Sequence, residues 1–371
     1  MTALIGEQPS VVNILESTNL QATEGFLLPQ EPAEIDWDAF DNSVEAYIGV
    51  QSLKAIGGKH VFREGVAYNY RAVLEDNTRK FVRLTLPHED MAKTDVPVVH
   101  KGAWFTDGDG HNFHTDLRLA KAGIPSLFVG ASGESAPGAA LADIGHAVRH
   151  PGKTIHEIRS IDLGRTAAGM HAIADAFPLL APWHGLQTKR VGIIGESHGT
   201  MAGMGFVAQA PEHGREVVAA RFIAGCFPEK ISSTEAGIII AKQLPAEARV
   251  ILHVAKTMSA SHRRHNRRTL SLNPLTTVHT IATWGTLHSG RAGEFGRKIP
   301  HDQIMDIVAF EGDRAGSAHI WHTIFANHPF VQLDVRPGAH MSIVEEYMMN
   351  ENIESIETQL GITPAKQSAE A

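Results

Sequence analysis

A serine between two glycines is the feature of this sequence with the clearest chemical meaning. A short apolar run, 190–194, leads into Gly-Glu-Ser-His-Gly at 195–199, and small residues follow. A serine at a sharp strand-to-helix turn has a strained backbone that exposes its hydroxyl, and flanking glycines keep a Cβ from colliding with neighbouring elements. The pattern therefore predicts that Ser197 is a catalytic nucleophile, and an ordinary strand-to-helix turn is the alternative interpretation.

Histidine is abundant, with 22 residues, so metal binding is a second chemistry to consider. Three pairs have the spacing of three that places side chains on one helix face: His111 and His114, His262 and His265, and His319 and His322. No HExxH sequence and no carboxylate at a fixed spacing accompanies any pair. We interpret these residues as solvated helix histidines and predict neither a metal ion nor an organic cofactor.

The composition is typical of a soluble globular protein. The 371 residues are 43% hydrophobic and 20% charged, and no uninterrupted apolar run is long enough to span a membrane. A net charge of −8 argues against a nucleic-acid partner. The single cysteine, Cys226, forbids an intramolecular disulfide, and residues 1–7 lack the basic and apolar run of a secretory signal. We expect a cytoplasmic protein with a small-molecule substrate and no membrane partner, and a homo-oligomer is compatible with the sequence.

The elements that must position Ser197 follow an alternating pattern. Residues 67–74 and 80–86 alternate apolar and polar side chains around the turn 75–78, which predicts an antiparallel hairpin. Short apolar runs then alternate with helical stretches, the pattern of βαβ units and a mostly parallel sheet. These runs are 96–99, 126–129, 190–194, 217–223, 307–310 and 330–335.

Helical spacing of apolar residues predicts helices over 39–55 and 162–177, the second a crossover helix between two strands. A capping box at 342–345 predicts a final helix that runs to about Leu360 and ends at Gly361.

The chain divides into five segments. These are an N-terminal extension (1–58), the first part of an α/β core (59–226), an inserted helical cap (227–300), the second part of the core (301–361) and a flexible tail (362–371). Between about residues 227 and 300 the alternation stops, and helical stretches at 235–243, 247–258 and 276–287 follow one another without an obvious strand. This pattern predicts the cap, and a separate small helical domain is the alternative.

The serine turn, the alternating strands, the insertion after the strand that follows the nucleophile helix, and a late histidine together resemble the α/β-hydrolase superfamily. The resemblance covers roughly residues 60–360, stays at superfamily level and leaves out residues 1–58. It implies a mostly parallel α/β-hydrolase sheet with an antiparallel opening hairpin and an inserted helical cap. It also implies the chain order nucleophile, acid, histidine, with the histidine in the loop after the last strand.

His340 and Asp313 match the base and acid positions of this superfamily. His340 ends a Gly-x-His sequence after the last predicted strand, where a base takes the proton of Ser197 and returns it to the leaving group. Asp313 follows the penultimate strand, where an acid orients the imidazole. Many members have this acid three residues after the glycine, where Ala315 stands here, so the loop would have to be shorter. Glu311 and Glu229 are the alternative acids.

The resemblance also implies an oxyanion hole made by two backbone N–H groups. His198, after the nucleophile, supplies one. The loop after the strand 96–99 supplies the other from Ala103, or from Trp104 as the alternative, and Lys101 stands where the superfamily usually has histidine. The Trp104 side chain would line the acyl pocket, or else pack in the core.

The expected function is hydrolysis of a carboxylic ester, thioester or lactone of a small, partly apolar substrate through an acyl-serine intermediate. An acyltransferase or a carbon–carbon hydrolase with the same triad is one alternative. A ligand receptor, or a binding protein with a vestigial triad, is an alternative of another class, because a fold does not determine a function.

Overall fold

The computed structural model describes residues 50–55, 59–74, 79–102, 111–130, 163–175, 186–187, 189–225, 227–257 and 288–362. The strands of these residues are β1 (Val50–Ala55), β2 (His60–Val61), β3 (Gly65–Leu74), β4 (Arg79–Pro87), β5 (Val98–Lys101), β6 (Ser126–Val129), β7 (Arg190–Glu196), β8 (Glu216–Ile223), β9 (Met305–Phe310) and β10 (Val331–Arg336). The α-helices are α1 (His111–Lys121), α2 (Leu163–Asp175), α3 (Gly199–Gln209), α4 (Ser233–Thr257), α5 (Arg291–Gly296), α6 (Ala318–Ile324) and α7 (Glu346–Gln359). Short 3-10 helices cover Glu89–Met91, Ala210–His213 and His340–Val344.

These strands form one sheet in the order β1-β3-β4-β6-β5-β7-β8-β9-β10, with β2 paired to β3. The pairings among β1 to β4, and that of β4 with β6, are antiparallel, whereas those from β6 across to β10 are parallel. β3 and β4 form the predicted hairpin, whose turn, 75–78, lies outside the described residues. Each predicted apolar run overlaps one strand from β5 to β10, so the predicted mostly parallel sheet is confirmed.

Parallel strands bring their carboxyl ends to the same edge of a sheet. The loops that follow β5, β7, β8, β9 and β10 therefore converge at one edge. The predicted site residues lie in the loops after β5, β7, β9 and β10, which is how residues far apart in the chain can meet.

Helices cover both faces of the sheet. One face packs against α2, α3 and α5 around side chains such as Ile193 and Phe222, and the other packs against α1 and α7 around Ile194 and Val308. Successive residues of a strand point to opposite faces, so Ile193 and Ile194 enter different cores. A strand buried on both faces is apolar at successive positions, which explains the continuous apolar runs of the sequence.

The helix predicted over 39–55 is wrong for its last six residues. Residues 50–55 form β1, which pairs antiparallel with β3 and places Leu53 opposite Ala72. Residues 39–49 lie outside the described residues. The edge of β3 offers backbone partners for a further strand, and this pairing outweighs a weak helical spacing of apolar residues.

The separate helices predicted at 235–243 and 247–258 form the single helix α4, which continues through Pro245. A proline inside a helix costs about 3 kcal/mol, so packing must hold this helix together. Buried residues on both sides of the proline, Ala236 before it and Glu247 after it, anchor α4 to the rest of the protein. The predicted cap, 227–300, is described only at 227–257 and 288–300, and its role as a cap stays a prediction.

The final helix also begins later than the sequence predicts. Residues His340–Val344 form a 3-10 helix, and the hydroxyl of Ser342 accepts a hydrogen bond from the Ala339 N–H at 3.2 Å. α7 therefore begins at Glu346, not at the predicted capping box. Its end agrees with the prediction, since it is followed by Gly361 in a left-handed conformation with φ 71°.

A buried ionic network lies on the face of the sheet that α1 covers. Asp116 of α1 accepts hydrogen bonds from Arg83 at 3.3 Å and from Nδ1 of His100 at 2.9 Å. Nε2 of His100 lies 3.9 Å from a carboxylate oxygen of Glu196, the residue before Ser197. Burial lowers the pKa of His100, but its hydrogen bonds and the negative charges of Asp116 and Glu196 outweigh burial and raise that pKa to about 9.

This network predicts that the stability of the protein falls between about pH 6.5 and pH 9. The folded-state pKa of His100, about 9, lies above its ordinary value of 6.5. The stabilisation is therefore complete below pH 6.5 and is lost as the pH rises through 9, a change on the order of 3 kcal/mol. Denaturant unfolding of wild type and His100→Gln across this range should show a steeper decline for wild type. Exposed His319→Gln is the control that keeps the wild-type slope, and equal slopes for all three proteins would contradict the prediction.

Candidate active site

Ser197 forms the sharp turn between β7 and α3. Its φ is 53°, a left-handed conformation that residues other than glycine rarely adopt. The Ser197 N–H donates to the carbonyl of Ile223 in β8 at 2.8 Å, which fixes the turn to the neighbouring strand. The strained turn is the geometry that the Gly-x-Ser-x-Gly pattern predicts.

The two glycines of the pattern are required by close contacts. A Cβ at Gly199 would lie 2.0 Å from the carbonyl oxygen of Lys101, at the end of β5. A Cβ at Gly195 would lie 2.8 Å from the Phe222 ring and 3.1 Å from the Thr200 Cα. The turn therefore fits between β5 and β8 only because both positions lack a side chain.

The structure brings Ser197, His340 and Asp313 together. The Ser197 Oγ lies 2.7 Å from Nε2 of His340, and Nδ1 of His340 lies 2.7 Å from Oδ2 of Asp313. A carboxylate can only accept, so Nδ1–H donates to Asp313, and Nε2 is left to accept from the serine hydroxyl. Ser197 is 8% exposed, Asp313 2% and His340 1%, so the three side chains interact away from bulk water.

Asp313 lies in a tight turn, one residue after Gly312. The Asp313 N–H donates to the Phe310 carbonyl at 2.9 Å and closes a tight turn. Oδ1 of Asp313 accepts from the N–H groups of Ala315 at 2.9 Å and Gly316 at 3.2 Å, so Oδ2 faces His340. Ala315, at the usual acid position of the superfamily, is buried and serves as a hydrogen-bond donor. The alternative acids, Glu229 and Glu311, have exposed side chains.

Two residues of α4 contact this group and were missed in the sequence analysis. Gln243 donates to Oδ1 of Asp313 at 3.0 Å. Glu247 accepts from the backbone N–H groups of His340 at 2.9 Å and Met341 at 2.8 Å. The only local signal for them is that two polar residues stand four apart in a helical stretch, which places them on one helix face.

The predicted oxyanion hole is described in part. His198 lies directly before α3, whose first residue, Gly199, lies against the carbonyls of Lys101 at the end of β5 and of Gly102 after it. Ala103 and Trp104 lie outside the described residues. Burial, followed by the nearby cationic groups of His288, Lys101 and Lys80, lowers the pKa of the His198 imidazole well below its usual range. The His198 side chain is therefore neutral near pH 7.

Lys101 stands where the superfamily usually has histidine, and its side chain does not reach solvent. It is buried, and its Nζ donates to the Val129 carbonyl at the end of β6 at 3.0 Å. Burial, and then the charge of Lys80, lower the pKa of the Lys101 amine well below its usual range. Lys101 thus joins the ends of β5 and β6 beside the serine turn.

No protein-family model matches the sequence, and no curated protein is similar to it in sequence. Solved structures are similar in fold. The alpha/beta hydrolase GrgF from Penicillium sp. sh18 has a TM-score of 0.50 and 12% identity, over 80% of this chain and 99% of that chain. The chain has the α/β-hydrolase fold. The predicted fold class and the resemblance to this superfamily are confirmed at the level of the fold.

Two further solved structures are similar to this chain. The enol-lactonase from Burkholderia xenovorans LB400 has a TM-score of 0.47 and 11% identity, over 76% of this chain and 97% of that chain. A cold-adapted esterase from an Arctic intertidal metagenomic library has a TM-score of 0.46 and 12% identity, over 82% of this chain and 99% of that chain.

Within the described ranges, no group of three or more His, Cys, Asp or Glu side chains could hold a metal ion. The helices in the described part of the chain include none long and apolar enough to cross a membrane.

The close contact at Gly199 generates a prediction. In Gly199→Ala the new Cβ would overlap a backbone oxygen that cannot move without shifting β5, so we expect a lower melting temperature and loss of the Ser197–His340 geometry. Gly237→Ala is the matched control. Nothing lies within 4 Å of a Cβ at this position of α4, and the substitution should stabilise the protein by about 0.5–1 kcal/mol. Thermal melts followed by circular dichroism test both variants, and a Gly199→Ala protein as stable as wild type would contradict this account of the turn.

Proposed function

We propose that the protein is a serine hydrolase that cleaves a carboxylic ester, thioester or lactone through an acyl-serine intermediate. Ser197 is the nucleophile, His340 is the general base and then the general acid, and Asp313 orients His340. The observation that carries the proposal is the unbroken pair of 2.7 Å hydrogen bonds from the Ser197 hydroxyl through the imidazole to the Asp313 carboxylate. A nucleophile, a base and an orienting acid in this geometry are what acyl transfer to serine requires.

Acylation begins when Oγ of Ser197 attacks the carbonyl carbon of the substrate. The hydroxyl proton passes to Nε2 of His340, and the imidazolium is stabilised by the carboxylate of Asp313. Nε2 then gives the proton to the leaving oxygen or sulfur as its bond to the carbonyl carbon breaks. Deacylation follows the same sequence with water as the nucleophile. Water gives a proton to Nε2 of His340 as its oxygen attacks the acyl carbon, and Nε2 then gives that proton to Oγ of Ser197 as the acid product leaves.

The tetrahedral intermediates carry negative charge on the former carbonyl oxygen. We assign the backbone N–H of His198 as one donor to this oxygen and that of Ala103 as the other. The position of His198 at the start of α3 supports its role, because the amino end of a helix favours a nearby negative charge. The contact between Gly199 and the carbonyl of Lys101 supports the second assignment, because it brings the loop after β5 against the serine turn.

We assign a small, partly apolar acyl group to the substrate. This assignment is based on the apolar stretch 236–241, which lies in the segment between β8 and β9 that is predicted to cover the site. In α4 this stretch places Ala236 in the core and leaves the side chain of Ile238 49% exposed.

A fluorophosphonate tests the proposal directly, because it phosphonylates only a serine activated by a neighbouring base. Intact-mass measurement of the purified protein should show one adduct, and Ser197→Ala should gain none. Ser355→Ala, on α7, is the matched control and should be labelled like wild type. The proposal fails if wild type gains no adduct, or if Ser197→Ala is labelled as fast as wild type.

The acid is tested by Asp313→Asn. An amide in place of the carboxylate favours the wrong imidazole tautomer, so kcat for a small ester such as 4-nitrophenyl acetate should fall on the order of 10⁴-fold with the fold intact. Glu229→Gln and Glu311→Gln, at exposed positions, should keep most of the activity. A larger loss in either glutamate variant than in Asp313→Asn would move the acid to that glutamate.

A further inference from the structure

The middle of α4 inserts two polar side chains between the loop of Asp313 and the loop of His340. Gln243 and Glu247 are 4% and 5% exposed. Residues four apart lie on the same face of a helix, so both point to the same place. They also contact each other, because the Gln243 amide donates to Oε1 of Glu247. A buried polar pair of this kind is costly unless its hydrogen bonds are made, and here they are made to the loops that carry Asp313 and His340.

Glu247 holds the backbone of the base. The first N–H groups of a helix have no partner within it, and the 3-10 helix His340–Val344 begins at the base itself. Oε1 of Glu247 accepts from the His340 N–H at 2.9 Å, and Oε2 accepts from the Met341 N–H at 2.8 Å. The two oxygens of one carboxylate therefore fix both the position and the direction of the backbone that carries the imidazole.

Gln243 holds the acid loop. Its amide nitrogen donates to Oδ1 of Asp313 at 3.0 Å, and its amide oxygen accepts from the Arg314 N–H at 3.2 Å. With the N–H groups of Ala315 and Gly316, this contact leaves Oδ2 of Asp313 as the oxygen directed at His340. One face of α4 therefore links the loops of Asp313 and His340 through contacts other than the direct hydrogen bond between these two residues.

Three elements lie against the segment that carries His340. Asp313 follows β9, Glu247 lies on α4, and α7 is the other helix packed on the 3-10 helix of the base. Three acidic residues of α7 pair with cations elsewhere: Glu346 with Arg118, Glu351 with Arg336, and Glu357 with Lys93. Burial raises the pKa of Glu247, while His340, Gln243 and the Met341 N–H oppose this shift by favouring the carboxylate.

We propose that Glu247 and Gln243 are positioning residues of the active site, and that the carboxylate of Glu247 also stabilises the positive charge that His340 gains during catalysis. The inference rests on the proposed function. It makes α4, a helix outside the three loops of the triad, part of the machinery that aligns the base with Ser197.

Glu247→Gln is the sharpest variant, because it keeps the size of the side chain but removes the charge and turns one acceptor into a donor that faces an N–H group. Active sites are first counted by fluorophosphonate labelling, and kcat and KM for 4-nitrophenyl acetate are then measured per labelled site across pH. We expect kcat to fall by about 10-fold or more, with little change in KM, because a displacement of about 1 Å can cost ~10²-fold in rate. The midpoint of the acidic limb of the kcat/KM profile should move to lower pH, since the imidazolium loses a neighbouring negative charge.

Two further substitutions separate positioning from general stability. Glu247→Asp keeps the charge and should restore the acidic limb toward the wild-type midpoint while recovering part of the rate. Glu235→Gln, at an exposed position of α4 whose partner is Ser232, should weaken the start of the helix and leave both kcat per site and the pH profile unchanged. A purely structural role for Glu247 would lower the number of labelled sites without changing kcat per site or the acidic limb.

A folded Glu247→Gln protein with wild-type kcat per site and an unshifted acidic limb overturns the inference, while normal labelling of Ser197 leaves the proposed function standing. If wild type takes no label, the proposed function fails and this inference fails with it.

If Glu247→Gln does not fold, Gln243→Met tests the inference in its place. It should lower kcat per site by about 10-fold without moving the acidic limb, because Glu247 and its charge remain, and wild-type kcat there would overturn the inference.

Discussion

The left-handed backbone of Ser197 is the constraint on which the rest of this structure depends. Such a conformation costs a residue other than glycine about 1–3 kcal/mol and persists only where its surroundings hold it. Here β8 accepts the Ser197 N–H, and the end of β5 presses against Gly199. The two strands that flank β7 therefore hold the turn from both sides. The parallel part of the sheet explains why the loops of the other site residues reach the same edge.

The end of β7 carries a buried charge that points away from Ser197. Glu196 is the last residue of β7, and Ser197 forms the turn that follows it. Glu196 faces His100 in the ionic network of Arg83 and Asp116, on the face covered by α1, whereas Ser197 faces His340. Buried charges are tolerated only when they are paired, and this network satisfies that requirement directly beneath the turn.

The segment between β8 and β9 has a larger part in the site than its predicted role as a cap suggests. α4 reaches the loops of Asp313 and His340 through Gln243 and Glu247, across hydrogen bonds of 2.8 to 3.2 Å. Shortening the segment 227–300 would therefore remove contacts to both loops. This arrangement links the position of α4 to the alignment of His340.

Local patterns in the sequence determined the strand-turn-helix unit around Ser197, the opening hairpin, the apolar strands of the parallel sheet and the loop that holds His340. Each is set by residues within a few positions of one another, through glycine conformation, alternation or turn chemistry. Only the tertiary structure decided that Asp313, and neither Glu229 nor Glu311, lies against His340, that residues 50–55 join β3, and that Gln243 and Glu247 contact the triad. The contacts of α4 join residues 70 to 94 positions apart, as from Gln243 to Asp313 and from Glu247 to Met341. The packing of whole elements determines which distant residues meet, and no short-range spacing in the sequence encodes that packing.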